Sequence, residues 1–157
     1  MKHTVLVALA LLSLCLAGCS HKTATSYYSS PTTYLNHEGD GSITVRAYGS
    51  GRNGQDAREQ AWKNAVHDVI FKGINVPGNT LLSKPLITEV NAEEKYEQFF
   101  NIFFKDQGYF MSFITTEDKK PFSTNFEKNT IQNKQGTTVR VLRAELKDYL
   151  KQNGILK

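Results

Sequence analysis

Apolar and polar positions alternate from Ile43 to Tyr48, with Ile43, Val45 and Ala47 on one side and Thr44, Arg46 and Tyr48 on the other. A period of two predicts a strand. Gly49-Ser50-Gly51-Arg52-Asn53-Gly54 then bends the chain into Gln55 to Lys72, where Ala57, Ala61 and Ala65 recur and Trp62, Val66, Val69 and Ile70 widen the apolar stripe. This spacing predicts an amphipathic helix. Asn53 is placed to cap its start and Gly73 to end it. Alanines along the stripe allow a close approach to a sheet, while Arg58, Glu59, Lys63, Asn64, His67 and Asp68 take the opposite, solvated side.

Val76-Pro77-Gly78-Asn79 reads as a turn, and Pro85 breaks the apolar stretch from Leu81 to Val90. Asn91 to Gln107 is predicted as a second helix. Asn91 with Glu94 suggests a capping box, Tyr96, Phe99, Phe100 and Phe103 form its apolar face, and Gly108 stops it. Tyr109 to Thr116, aromatic and β-branched, reads as a strand. The polar stretch from Glu117 to Gln135 reads as a loop or long hairpin connection, and Thr137 to Leu142 as a further strand. A short terminal helix follows, with Leu146, Tyr149 and Leu150 inward, a left-handed stop at Gly154 and Ile155 folded back on Leu150. Too few parallel crossovers exist for a doubly wound sheet. The expected class is α+β, a small mainly antiparallel sheet packed against two or three helices in a single domain spanning 42–157.

The N-terminus changes the picture. Lys2 precedes an apolar run from Val5 to Ala17, interrupted only by Ser13. That run is shorter than the roughly 20 residues of a spanning helix and suits the apolar region of a removable leader, residues 1–18. Leu16-Ala17-Gly18-Cys19 resembles the lipobox of bacterial lipoproteins. The resemblance implies that Cys19 is lipidated on its thiol, that the leader is cleaved before it, and that the new amino group is acylated. Two or three acyl chains then anchor the protein firmly in a membrane. Cys15 leaves with the leader, so a lipidated Cys19 leaves the folded part without a thiol, disulfide or thiolate metal site. Residues 19–41 read as the lipidated cysteine and a flexible tether of about 22 residues, able to reach roughly 70 Å when extended. Ser20 is not the aspartate that retains enterobacterial lipoproteins in the inner membrane, so the resemblance implies the outer membrane.

Candidate chemistry is sparse. Gly49-Ser50-Gly51-Arg52-Asn53-Gly54 is a literal G-x-G-x-x-G between a strand and a helix, a place where backbone amides can hold a phosphate. The second strand ending in an acidic residue, which a dinucleotide fold requires, is missing. His67 beside Asp68 lacks a nearby nucleophile, and His37, Glu38 and Asp40 lack a second ligand cluster for a metal. Glu93, Glu94 and Glu97 sit where acidic residues compensate a helix dipole. The expectation is a protein that is not an enzyme and needs no cofactor and no metal. The net charge of +4 is mild and interspersed, which excludes a nucleic-acid stripe. Phe99, Phe100, Phe103, Phe104, Phe110 and Phe113 are expected mainly in the core, since so small a domain needs most of its large side chains buried, with Phe99, Phe100, Phe103 and Phe104 as the candidate partner surface.

Beyond the lipobox, Ile43-Thr44-Val45-Arg46, the run Val69-Ile70-Phe71-Lys72-Gly73-Ile74 and Leu146-Lys147-Asp148-Tyr149-Leu150 resemble segments of small envelope lipoproteins, many from Bacteroidetes. A more distant likeness is to the N-terminal domain of flagellar assembly protein T. These resemblances imply a scaffold role. The expected function is an outer-membrane-anchored, non-enzymatic assembly or accessory subunit of an envelope complex, such as a secretion apparatus. A periplasmic or surface lipoprotein that binds glycan or peptidoglycan is the alternative.

Overall fold

The computed structural model describes residues 31–116 and 133–156. The fold is α+β: a four-stranded antiparallel sheet in the order β1-β2-β4-β3, with helices packed on it. In chain order the elements are β1 (Thr33–His37), β2 (Ile43–Gly51), α1 (Gly54–His67), α2 (Thr80–Ser83), α3 (Ala92–Lys95), α4 (Glu97–Phe103), β3 (Ile114–Thr115), β4 (Asn133–Val141) and α5 (Arg143–Gln152).

β2 forms where the alternation predicts, but it continues through Gly49, Ser50 and Gly51, where the bend was expected, and Thr44, expected on the polar side, is buried. Ile43, Val45, Ala47 and Gly49 are buried beneath α1, while Arg46 and Ser50 are exposed. β4 pairs with β2 along its whole length, from Ile43 opposite Val141 to Gly51 opposite Asn133. It begins earlier than predicted, because Asn133, Lys134 and Gln135 continue the ladder. Tyr48 lies opposite Gly136, where an added Cβ would fall 2.8 Å from the Tyr48 ring. The ring thus covers the position that glycine leaves bare.

α1 lies on β2 and β4 with Ala57, Ala61 and Ala65 fully buried. The contact is backbone to backbone. A Cβ on Gly49 would lie 2.2 Å from the Ala57 carbonyl oxygen and 2.3 Å from the Ala61 nitrogen, and one on Gly51 would lie 2.5 Å from the Ala57 nitrogen. The Asn64 amide donates to the Tyr48 carbonyl at 2.8 Å, tying helix to strand above this contact. Trp62 is half-buried at the margin.

The predicted helix does not stay α-helical to Lys72. From Asp68 to Lys72 it widens into a π turn, closed by a hydrogen bond from the Gly73 amide to the Asp68 carbonyl at 2.7 Å. The carbonyls of Val69 and Ile70 instead accept from the amides of Leu86 (3.1 Å) and Ile87 (2.9 Å). The apolar stretch that Pro85 breaks therefore supplies the donors for the opened helix end. Gly73 ends the turn at φ 77°, and a side chain there would meet the Ser83 carbonyl.

Three further expectations are corrected. The tether was expected to run to Gly41, but Thr33–His37 is an edge strand, paired with β2 and bulged between Tyr34 and Asn36. Tyr34 packs against the core, and this one inward residue is too little to show as strand periodicity. Asn91–Gln107 is two short helices, α3 and α4, broken at Tyr96. Asn91 is left-handed at φ 58° and makes no capping hydrogen bond with its side chain. Tyr109–Phe113 is a 3₁₀ turn, leaving only Ile114 and Thr115 as strand. A period of three aligns Phe110 with Phe113, and both are buried, whereas a strand would set them on opposite faces. Gly154 ends α5 as predicted, at φ 71°, with the Ile155 amide donating to the Leu150 carbonyl and Ile155 buried.

The helix–strand contact generates a stability prediction. Gly49→Ala and Ala61→Leu should each lower unfolding free energy by about 1–3 kcal/mol in urea titrations. Gly39→Ala, with nothing within 4 Å of the added Cβ, should stay within about 0.5 kcal/mol of wild type.

Candidate functional site

The aromatic residues singled out in the sequence divide between core and surface. Phe100 and Phe103 are buried, as are Phe110 and Phe113. Phe99 and Phe104 are partly buried against the same core. Phe100 and Phe103 thus take the core role and leave the candidate partner surface, because α4 turns them toward the 3₁₀ segment and the π turn. Phe100 meets Phe71 edge-on at 4.9 Å, and Phe103 stacks on Phe113 at 6.0 Å.

What remains at the surface is a rim on this packing. Tyr149 of α5 meets Phe113 at 5.1 Å, Phe99 at 6.1 Å and Tyr109 at 6.5 Å, joining three elements. Burial, then the neighbouring Tyr109, push the Tyr149 hydroxyl above its ordinary value. Ile102, three residues after Phe99 on α4, is 56% exposed, and Tyr109 is 57% exposed. Residues three apart on a helix are neighbours. Phe99 and Tyr109 both meet Tyr149, and Ile102 stands one turn along α4 from Phe99, so two large side chains on these elements are left more than half in water. The sequence flagged Phe99 but not Tyr109 or Tyr149.

The glycine bend serves packing. Gly49 and Gly51 lie in β2 under α1, and Gly54 opens the helix. The amides of Gln55 and Asp56, where a phosphate would bind, both donate to the Asn53 side chain at 2.9 Å. Arg52 is exposed and pairs with Asp56 at 3.4 Å.

His67 and Asp68 were expected on a solvated face, but Asp68 is only 7% exposed. The Thr32 hydroxyl donates to its carboxylate at 2.5 Å, Lys72 Nζ lies 2.9 Å away and His67 Nδ1 3.6 Å away. Burial opposes ionisation of Asp68, yet the hydrogen bonds from His67, Thr32 and Lys72, with the charge of Lys72, hold its pKa down to about 2. The other His67 nitrogen faces Glu93 at 3.2 Å. The polar side of α1 is also engaged: Lys63 bonds Asp106 at 2.5 Å, and Glu59 accepts from the Gln107 amide at 2.9 Å.

His37, Glu38 and Asp40 do not converge. His37 meets the Tyr34 hydroxyl at 2.6 Å, Glu38 pairs with Arg140 at 3.5 Å, and Asp40 accepts from the Ser42 amide at 2.8 Å. Among the described residues no group of His, Cys, Asp and Glu side chains is placed to hold a metal ion, and no helix is long and apolar enough to cross a membrane. Cys19 lies outside the described residues. Compared with protein-family models, curated proteins and solved structures, the chain matches none.

The Asp68 cluster predicts acid sensitivity with a defined sign. The folded carboxyl ionises below the ordinary 3.8, so its contribution is complete above that value and is lost as pH falls toward about 2. Urea titrations from pH 6 to pH 2 should show a loss on the order of 2 kcal/mol from this group. Asp68→Asn should flatten that part of the profile and be less stable than wild type at pH 7.

Proposed function

We propose that this chain is a lipoprotein, anchored through Cys19 in the outer membrane, which acts without chemistry of its own as an assembly or accessory subunit of a cell-envelope complex. A secretion apparatus is one such complex. The anchor half of this reading is supported by the apolar leader, the small residues before Cys19 and the cysteine itself. The partner half is carried by one observation: Ile102 and Tyr109 stand more than half exposed beside Phe99 and Tyr149, on a rim continuous with the aromatic core. Aromatic residues at such surfaces supply most of the energy of protein contacts because they bury large area with few rotatable bonds. The partner is a protein rather than a nucleic acid, since the charge is mild and interspersed.

Two measurements test this. Cys19→Ala should move the protein from the membrane to the soluble fraction, and continued tight association would contradict lipidation. Crosslinking in membranes followed by affinity capture should recover a stoichiometric protein partner. The double variant Ile102→Glu, Tyr109→Ala should lose that partner by at least about tenfold while its unfolding free energy changes by under about 1 kcal/mol. A monomer with no partner, or capture unaffected by the double variant, would sink the assignment.

A further inference from the structure

The residues that join the membrane anchor to the domain are fastened to it earlier than the sequence suggests. The Thr32 hydroxyl is held by the buried Asp68 carboxylate, itself paired with Lys72. Tyr34 lies opposite Val45 and packs against the core, with Thr33, Asn36 and His37 in register with Arg46, Thr44 and Ile43. The turn that follows is closed three times: Glu38 amide to Ser42 carbonyl (3.0 Å), Gly41 amide to Glu38 carbonyl (3.0 Å) and Ser42 amide to the Asp40 carboxylate (2.8 Å). Glu38 also meets Arg140 of β4, so the turn is tied to the centre of the sheet. Thr32 therefore belongs to the fixed body of the domain.

From this attachment we infer that the lipidated protein is a short-reach module, its domain held within a limited span of the membrane that carries Cys19. The inference rests on the Cys19 anchor proposed above. Between Cys19 and Thr32 run only about 13 residues, which at full extension span at most roughly 45 Å, against roughly 70 Å for a tether ending at Gly41. The near side of the domain cannot leave the lipid surface by more than that span. Whatever the domain binds must therefore come within that span, plus the domain's own extent, of the bilayer that holds Cys19. A short connection raises the effective concentration of the domain for any target at that membrane, without a new contact.

The test uses the full lipidated chain in phospholipid vesicles. Chymotrypsin cuts after Tyr and Leu, so Tyr34 and Leu35 report directly on β1. In the vesicle-bound protein, cleavage there should be at least about 100-fold slower than in the denatured chain, because it requires opening of the sheet. A dye on Thr33→Cys, an exposed site in a mature chain whose other cysteine is lipidated, should lie within roughly 45 Å of acceptor dyes at the headgroups by energy transfer. Cleavage at Tyr34 at the denatured rate, or a dye beyond that span, overturns the short reach while leaving the anchor intact. A chain that does not sediment with the vesicles overturns the anchor and this inference together.

Discussion

Two backbones touching without side chains between them hold this fold in register. Along α1 the alanine stripe removes bulk from the helix, and at Gly49 and Gly51 the strand has no side chain at all, so Ala57 and Ala61 rest on bare β2. Nothing larger fits, because protein interiors are packed to crystal density and a Cβ at 2.2 Å from a carbonyl oxygen has nowhere to move. The consequences spread outward from there. Asn64 can reach the Tyr48 carbonyl, Val66 and Ile70 reach the common core, and the polar edge of the helix is close enough for Glu59 and Lys63 to fasten the 106–107 turn.

The far end of the same helix shows how backbone groups are redistributed when a neighbour competes for them. A buried carbonyl must have a donor, and those of Val69 and Ile70 find theirs in Leu86 and Ile87 instead of along the helix. The turn widens, and Asp68 at its start becomes a buried acceptor that gathers Thr32, Lys72 and His67. Arg143 performs a related service across the molecule, donating to the carbonyls of Leu81 and Lys84 at the end of α2. Burial without a carboxylate lowers the tendency of that guanidinium to hold its proton, yet the two carbonyls supply acceptors where the chain reverses.

The aromatic packing links stability to the proposed role. Phe100, Phe103, Phe110 and Phe113 are interior, and Phe99 and Tyr149 continue the same contacts to the surface. The anchor proposed at Cys19 and the early fastening at Thr32 add a second constraint, on where a partner can stand.

Much of the architecture was legible because it depends on local periodicity and on residues with special backbone behaviour. The alternation at Ile43 to Tyr48, the alanine spacing, the Asn53 cap and the stops at Gly73 and Gly154 each state their own conformation. The lipobox resemblance at Cys19 rests on the sequence alone. Tertiary contacts decided the rest. β1 has one inward residue and becomes a strand only because β2 offers an edge; Tyr109–Phe113 coils because Phe110 and Phe113 must face one core; Asp68 turns inward because Leu86 and Ile87 open the helix. Sequence by itself thus determined the alternation at the start of β2, the Asn53 cap and the glycine stops, which is energetics within one turn or one strand. Which aromatic residues are interior and which form a surface was settled only by packing, since Phe99, Phe100, Phe103 and Phe104 are chemically alike and differ solely in what the rest of the chain places against them.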